Sequence, residues 1–216
     1  MGTPGLVLIH SPLVGPSSWQ PVAEELRVGG LEVVVPSLVH ALGSPPPLYQ
    51  ALSGAVVDVL DGCRAATGPV LVVHSGAGAL VPSVVDAAPG PVRTVVFVDA
   101  TLPHPGRAWM DTVPVETAEQ LRAMAGADGV LPPWHEWFPA QVIAQLLPDE
   151  GVRTRLCADM PRLPLRYLEE VAPRLPRWRA LPCGYLQLSD DAVPVEPHRP
   201  PVDRTMIDWL DQQFGN

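Results

Sequence analysis

The sequence predicts an α/β protein with a doubly wound, mostly parallel sheet and a long helical insertion before its last strand. Three observations carry that expectation. Apolar runs without in/out alternation recur through the first hundred residues, at Gly5–His10, Leu31–Pro36, Val70–His74 and Val92–Asp99. Strands of a parallel sheet are covered on both faces and read this way. Between them, Trp19–Val28, Leu48–Ala66 and Gly78–Ala88 carry apolar residues at helical spacing, and Gly29-Gly30 and Gly68-Pro69 supply stops. After Asp99 the alternation breaks: residues 101–180 hold eleven prolines and four of the six tryptophans, with no convincing strand. Eighty residues are too many for a plain connection and read as a helical lid. Gly184–Ser189 then reads as one more strand, and Val202–Phe214 as a closing amphipathic helix. The expected organisation is a core of residues 1–100 and 181–216, with 101–180 as the lid.

Composition narrows the function. Proline occupies 28 of 216 positions, more than twice its usual share of about 5%. Hydrophobic residues nevertheless make up 47%, and a mean hydropathy of +0.16 excludes disorder. Fourteen arginines against 23 acidic residues leave a net charge of −9. That balance repels phosphate backbones and anionic membranes, which excludes nucleic acid and membrane surfaces as expected partners. No apolar run approaches the roughly 18 residues needed to span a bilayer, and the start of the chain shows no signal-peptide pattern. Cys63, Cys157 and Cys183 form an odd, widely spaced set, expected as buried thiols of a cytoplasmic protein. The oligomeric state is not legible.

The strongest chemical signal is VLVVHSGAGAL, residues 70–80: an apolar strand, Ser75 among small residues, then a helix. A nucleophile elbow needs this arrangement, because a tight strand-to-helix turn lifts the serine Oγ above the sheet. The usual G-x-S-x-G is shifted here, with Val73 and Ala77 at the flanking positions and Gly76 and Gly78 keeping the turn small. The plainer reading is a serine that caps the following helix. A second signal, HSPLVGPSSW at His10–Trp19, follows the first strand directly.

At this point the chain resembles the α/β-hydrolase superfamily, in particular its methylesterase and hydroxynitrile lyase branch. That branch has a strand ending in His-Gly, then a loop with glycine four residues on and a closing tryptophan; here His10, Gly15 and Trp19 match and Ser11 stands in for the first glycine. His74, Ser75 and Gly78 match its G-H-S-x-G-G elbow, and Phe97–Ala100 with Pro103 resembles the strand end before its lid. The resemblance implies the α/β-hydrolase fold, a Ser–Asp–His triad and no cofactor. Ser75 would be the nucleophile. Asp190 best matches the D-x-x-V-P acid, with Asp191 second and Asp99 as the acid of other branches. His198, the only histidine downstream, would be the base, although only seven residues separate it from Asp190. An exposed acidic turn and an exposed loop histidine are the competing readings of those two.

The family's oxyanion hole would take one backbone N–H from Gly76 and the other from Pro12, which has none. Either Leu13 supplies it through a shifted turn or the hole is incomplete. His10 and His74 read as packing neighbours of the site. His104 and His135 are open to two readings, substrate contact or solvated loop residue. Trp109, Met110, Trp134, Trp137 and Phe138 could form the lid's own core or line an apolar chamber above Ser75. No His, Cys and carboxylate grouping has metal-site spacing, and Gly76–Gly78 is not a dinucleotide fingerprint. The expected function is an enzyme acting on a small apolar ester, thioester or lactone. Its rivals are a non-hydrolytic lyase, cyclase or bond-forming enzyme of secondary metabolism, and a small-molecule binding protein without catalysis.

Overall fold

The computed structural model describes residues 5–60 and 68–188. In chain order the regular elements begin with β1 (Leu6–Ile9), α1 (Gln20–Val28), β2 (Val33–Val34), α2 (Leu48–Leu60), β3 (Val70–His74), α3 (Val81–Ala87) and β4 (Thr94–Val98). Then come α4 (Val115–Ala125), β5 (Val130–Leu131), α5 (Ala140–Leu146), α6 (Glu150–Ala158), β6 (Leu163–Pro164), α7 (Leu165–Glu169) and β7 (Cys183–Leu186). Five strands form one sheet in the order β2-β1-β3-β4-β7, every neighbouring pair parallel. The expected closing helix lies outside the described residues.

The missing alternation in the sequence has a direct cause. Val7, Ile9, Leu71, Val73, Val95 and Phe97 face a core completed by α2 and α3. Their neighbours Leu6, Leu8, Val70, Val72, Val96 and Val98 face a second core with Trp19 and α1. Both faces of each central strand are buried, so neither tolerates a polar residue.

Three elements differ from expectation. β2 spans two residues instead of six, since it pairs on one side only and Pro36 has no N–H to extend the ladder. Gly78–Ala88 does not begin as α-helix: Ser75–Leu80 winds as a 3₁₀ segment, and the α-helix starts at Val81, just before Pro82. A proline at that position lacks an N–H the first turn would leave unpaired anyway. The 101–180 stretch also contains strand: β5 and β6 pair antiparallel through Val130↔Pro164 and Leu131↔Leu163. Two residues per strand are too short to show a period.

The 101–180 stretch does not form a core of its own. Met110, Leu121, Leu131, Leu163, Tyr167 and Leu168 join the same buried cluster as β3, β4 and α2. Glu170 clamps it down: its carboxylate accepts from the N–H groups of Leu48 (2.7 Å) and Tyr49 (3.0 Å) at the start of α2. A carboxylate there satisfies two orphan donors and meets the positive end of the helix dipole. Glu170→Ala is therefore expected to destabilise the protein by about 1–2 kcal/mol, read from the urea midpoint, with Glu170→Gln recovering part of the loss. Cys157 and Cys183 are half-buried rather than fully buried, and Cys63 lies outside the described residues.

Candidate active site

Ser75 sits where β3 gives way to the 3₁₀ segment, with φ 53°. This left-handed backbone costs a residue with a Cβ on the order of 1 kcal/mol or more and persists only where surrounding structure imposes it. The surroundings do so here. Thr101, just beyond β4, donates its backbone N–H to the Ser75 carbonyl at 3.0 Å, and its hydroxyl lies 3.4 Å from the same oxygen. Gly78 lies so close to this crossing that a Cβ would come 2.0 Å from the Thr101 carbonyl oxygen. The glycine of the motif thus lets the chain after β4 cross the turn.

The loop after β1 forms the facing wall. His10 is fully buried; its Nδ1 lies 2.8 Å from the Ser11 carbonyl and its Nε2 accepts the Leu38 N–H at 3.1 Å. That pattern requires a neutral ring protonated at Nδ1, in keeping with burial, which pushes its pKa down. Both nitrogens are engaged, so His10 is a strut. Gly15 packs on Asp159, where a Cβ would lie 2.2 Å from the carboxylate carbon. The same carboxylate accepts from the Ser17 hydroxyl (2.6 Å) and N–H (2.9 Å). His74 lies on the opposite face of β3 from Ser75, its ring edge-on to Trp19 at 5.9 Å, with its pKa lowered by burial.

Between these walls lies a cavity of about 160 Å³, bounded by Ser75, Gly76, Ser11, Pro12 and Leu13 on the sheet side. Trp109, Trp137, Leu121, Leu163 and Leu168 close it from the 101–180 stretch, with Thr101, His104, Tyr49 and Tyr167 as the further polar-bearing walls. The Gly76 N–H stands at the first turn of the 3₁₀ segment, among the donors that a helical start leaves without an internal acceptor. Pro12 offers no N–H, and the Leu13 N–H is turned onto the Ser11 hydroxyl at 3.3 Å. Ser11 itself abuts Gly76: a Cβ on Gly76 would lie 3.1 Å from its Oγ. Burial raises the pKa of both tyrosine phenols, which keeps them protonated at neutral pH.

Not every expected residue meets at this cavity. Trp109 and Trp137 line it, but Met110 belongs to the main core. Trp134 stacks edge-on with Phe138 at 5.4 Å, away from the lining, and Phe138 is exposed. The other tryptophan of the short Trp134–Trp137 turn, Trp137, is half-buried and donates through Nε1 to the Pro132 carbonyl at 2.8 Å. Asp99 has φ 38° and accepts the Leu188 N–H through Oδ1 at 2.8 Å, joining β4 to the chain after β7. β7 ends at Leu186, and Gln187 and Leu188 continue without strand structure; Ser189 lies outside the described residues. Asp190, Asp191 and His198 lie outside the described residues. The walls contributed by Ser11, Tyr49 and Tyr167 were not legible, since isolated tyrosines at helical spacing look like core.

A parallel sheet that delivers a serine at positive φ to a covered cavity beyond its strand ends has the architecture of the α/β-hydrolase fold. The alpha/beta hydrolase family model matches residues 6–214, and the chain belongs to that family. Membership places it among enzymes, as a hydrolase or a relative of one. No curated relative matches the chain. Among solved structures, an extracellular alpha/beta-hydrolase from a Paenibacillus species, described as sharing structural and functional homology with tobacco salicylic acid binding protein 2, aligns with TM-score 0.69 and 22% identity. The match covers 90% of this chain and 81% of that one. Polyneuridine aldehyde esterase aligns with TM-score 0.60 and 18% identity, covering 99% and 88%. A variant of tomato methylketone synthase I aligns with TM-score 0.63 and 14% identity, covering 88% and 81%. These likenesses agree with the α/β-hydrolase fold that the motifs at His10–Trp19 and Val73–Gly78 imply. Among the described residues no helix is long and apolar enough to cross a membrane.

Proposed function

We propose that the protein hydrolyses a small, largely apolar ester, thioester or lactone through Ser75, with the 101–180 stretch serving as the lid. The observation that carries this reading is the φ of 53° at Ser75, a strained serine at the mouth of an apolar cavity. Strain of this kind collects at catalytic turns, and the strand–turn–helix context is that of a nucleophile elbow. A cavity of about 160 Å³ is close to the size that accommodates a single benzene ring, so the substrate is compact.

In the mechanism Ser75 Oγ attacks the carbonyl carbon while His198 takes its proton, with Asp190 orienting the imidazole. The C–O or C–S bond then breaks, and the leaving group receives that proton. Water, deprotonated by the same base, releases the acyl group as the acid. Negative charge on the carbonyl oxygen is met by the Gly76 N–H. The Ser11 hydroxyl, which accepts from Leu13 and keeps its own hydrogen to donate, replaces the donor that Pro12 lacks. The cytoplasmic location expected from the sequence belongs to this reading, as does a small-molecule partner.

Pro12 favours one second reading, a lyase, cyclase or bond-forming reaction in which the oxyanion hole matters less. Incubation with a panel of aryl and alkyl esters, thioesters and lactones separates the possibilities. Hydrolysis lost in both Ser75→Ala and His198→Ala supports the proposal. Turnover that survives Ser75→Ala supports the second reading, and tight binding without turnover supports a binding protein.

A further inference from the structure

We propose that His104 selects the ligand, by hydrogen bonding through its ring to a second oxygen function carried by the compact substrate. This rests on the reading that the cavity beside Ser75 is the substrate site. His104 lines that cavity, and both its Nδ1 and its Nε2 are buried without a hydrogen-bond partner. An unmet buried polar group costs roughly 1–3 kcal/mol, so a ligand group that satisfies it is favoured by a comparable amount. His10 differs, because that more deeply buried ring has a partner on each nitrogen. Two lining hydroxyls, by contrast, each have a protein partner: Thr101 lies 3.4 Å from the Ser75 carbonyl oxygen, and Ser11 Oγ accepts the Leu13 N–H.

The backbone that carries the ring is held on its C-terminal side. The Arg107 N–H donates to the His104 carbonyl at 3.1 Å. Gly106 donates to Ala172 at 2.7 Å, and Ala172 returns the contact to Arg107 at 3.0 Å. Burial, aided by the nearby Arg107 charge, pushes the His104 pKa down. The ring is then neutral at pH 7, with one donor and one acceptor nitrogen. A hydroxyl suits both, since it accepts from one nitrogen or donates to the other. The ligand class is therefore a one-ring-sized acyl compound bearing a hydroxyl in addition to its reacting carbonyl.

The test uses ketones, which Ser75 cannot hydrolyse, so it does not depend on turnover. Binding of 3- and 4-hydroxyacetophenone is compared with that of 3- and 4-methylacetophenone by quenching of tryptophan fluorescence, in the full-length protein and in Ser75→Ala. At least one hydroxy probe is expected to bind ten-fold or more tightly than its methyl counterpart in both proteins. In His104→Phe that preference is expected to fall below two-fold, while His104→Gln keeps part of it. Equal binding of hydroxy and methyl probes to the unmodified protein, which needs no variant to fold, overturns the proposal. A preference unchanged in a folded His104→Phe protein overturns it too. A hydroxy preference that depends on His104, in a protein that hydrolyses no ester, sustains this inference while removing the proposed function.

Discussion

Replacing Ser75 with alanine is expected to lower turnover of any ester substrate by at least about 10³-fold, with little change in the affinity for a non-reacting ketone. Removing the serine of a Ser–His–Asp triad elsewhere costs on the order of 10⁶ in kcat. The smaller bound allows for a weaker starting enzyme, because the Ser11 hydroxyl stands in for a backbone donor whose outright loss would cost about 10²–10³ in rate. Steady-state kinetics give the first number and fluorescence quenching the second. Ser75→Gly supplies an internal control. Glycine adopts φ 53° without a Cβ clash, so this variant should be as inactive as Ser75→Ala yet more stable than it by about 1 kcal/mol. A serine present only to cap the following helix would leave turnover intact in both variants.

Gly78→Ala is expected to be the more damaging change for the fold. Its new Cβ would stand 2.0 Å from the Thr101 carbonyl oxygen and 3.1 Å from the carbonyl carbon. Both are backbone atoms, so relief requires the chain after β4 to move, at a cost on the order of 3 kcal/mol. For a domain of this size that corresponds to a fall in Tm of roughly 6–12 °C. Because Thr101 also holds the Ser75 carbonyl, activity should drop beyond what unfolding explains. Gly54 gives the opposite result. It lies inside α2 with nothing within 4 Å of its prospective Cβ, and Gly54→Ala is expected to stabilise by about 0.5–1 kcal/mol. The pair separates close approach from generic helix propensity.

The sheet was readable because burial on both faces leaves an unbroken apolar run, as at Val70–His74, where expected and observed bounds coincide. The turn at Ser75 was readable for a different reason: small residues at 76–79 permit a tight turn and a close crossing that larger side chains would block. Legibility failed where tertiary contacts decide. Nothing local marks Val130–Leu131 as a strand, because its partner Leu163–Pro164 is over thirty residues away. The merging of the 101–180 stretch with the main core rests on pairs such as Tyr49 and Tyr167, whose rings lie 5.5 Å apart. Trp134 and Trp137 show the limit most plainly. Three residues apart on one turn, they are equivalent as sequence, yet only Trp137 reaches the cavity. The proline excess proved specific in one place, since Pro12 stands on the cavity wall beside Gly76.

The central claim is that Ser75 is an activated nucleophile. It is tested most directly by treating the folded protein with a fluorophosphonate and locating the adduct by peptide mass spectrometry. The account predicts one adduct per chain, carried by Ser75 and absent from Ser75→Ala. No adduct on the folded protein, or equal labelling of Ser75→Ala, would contradict it.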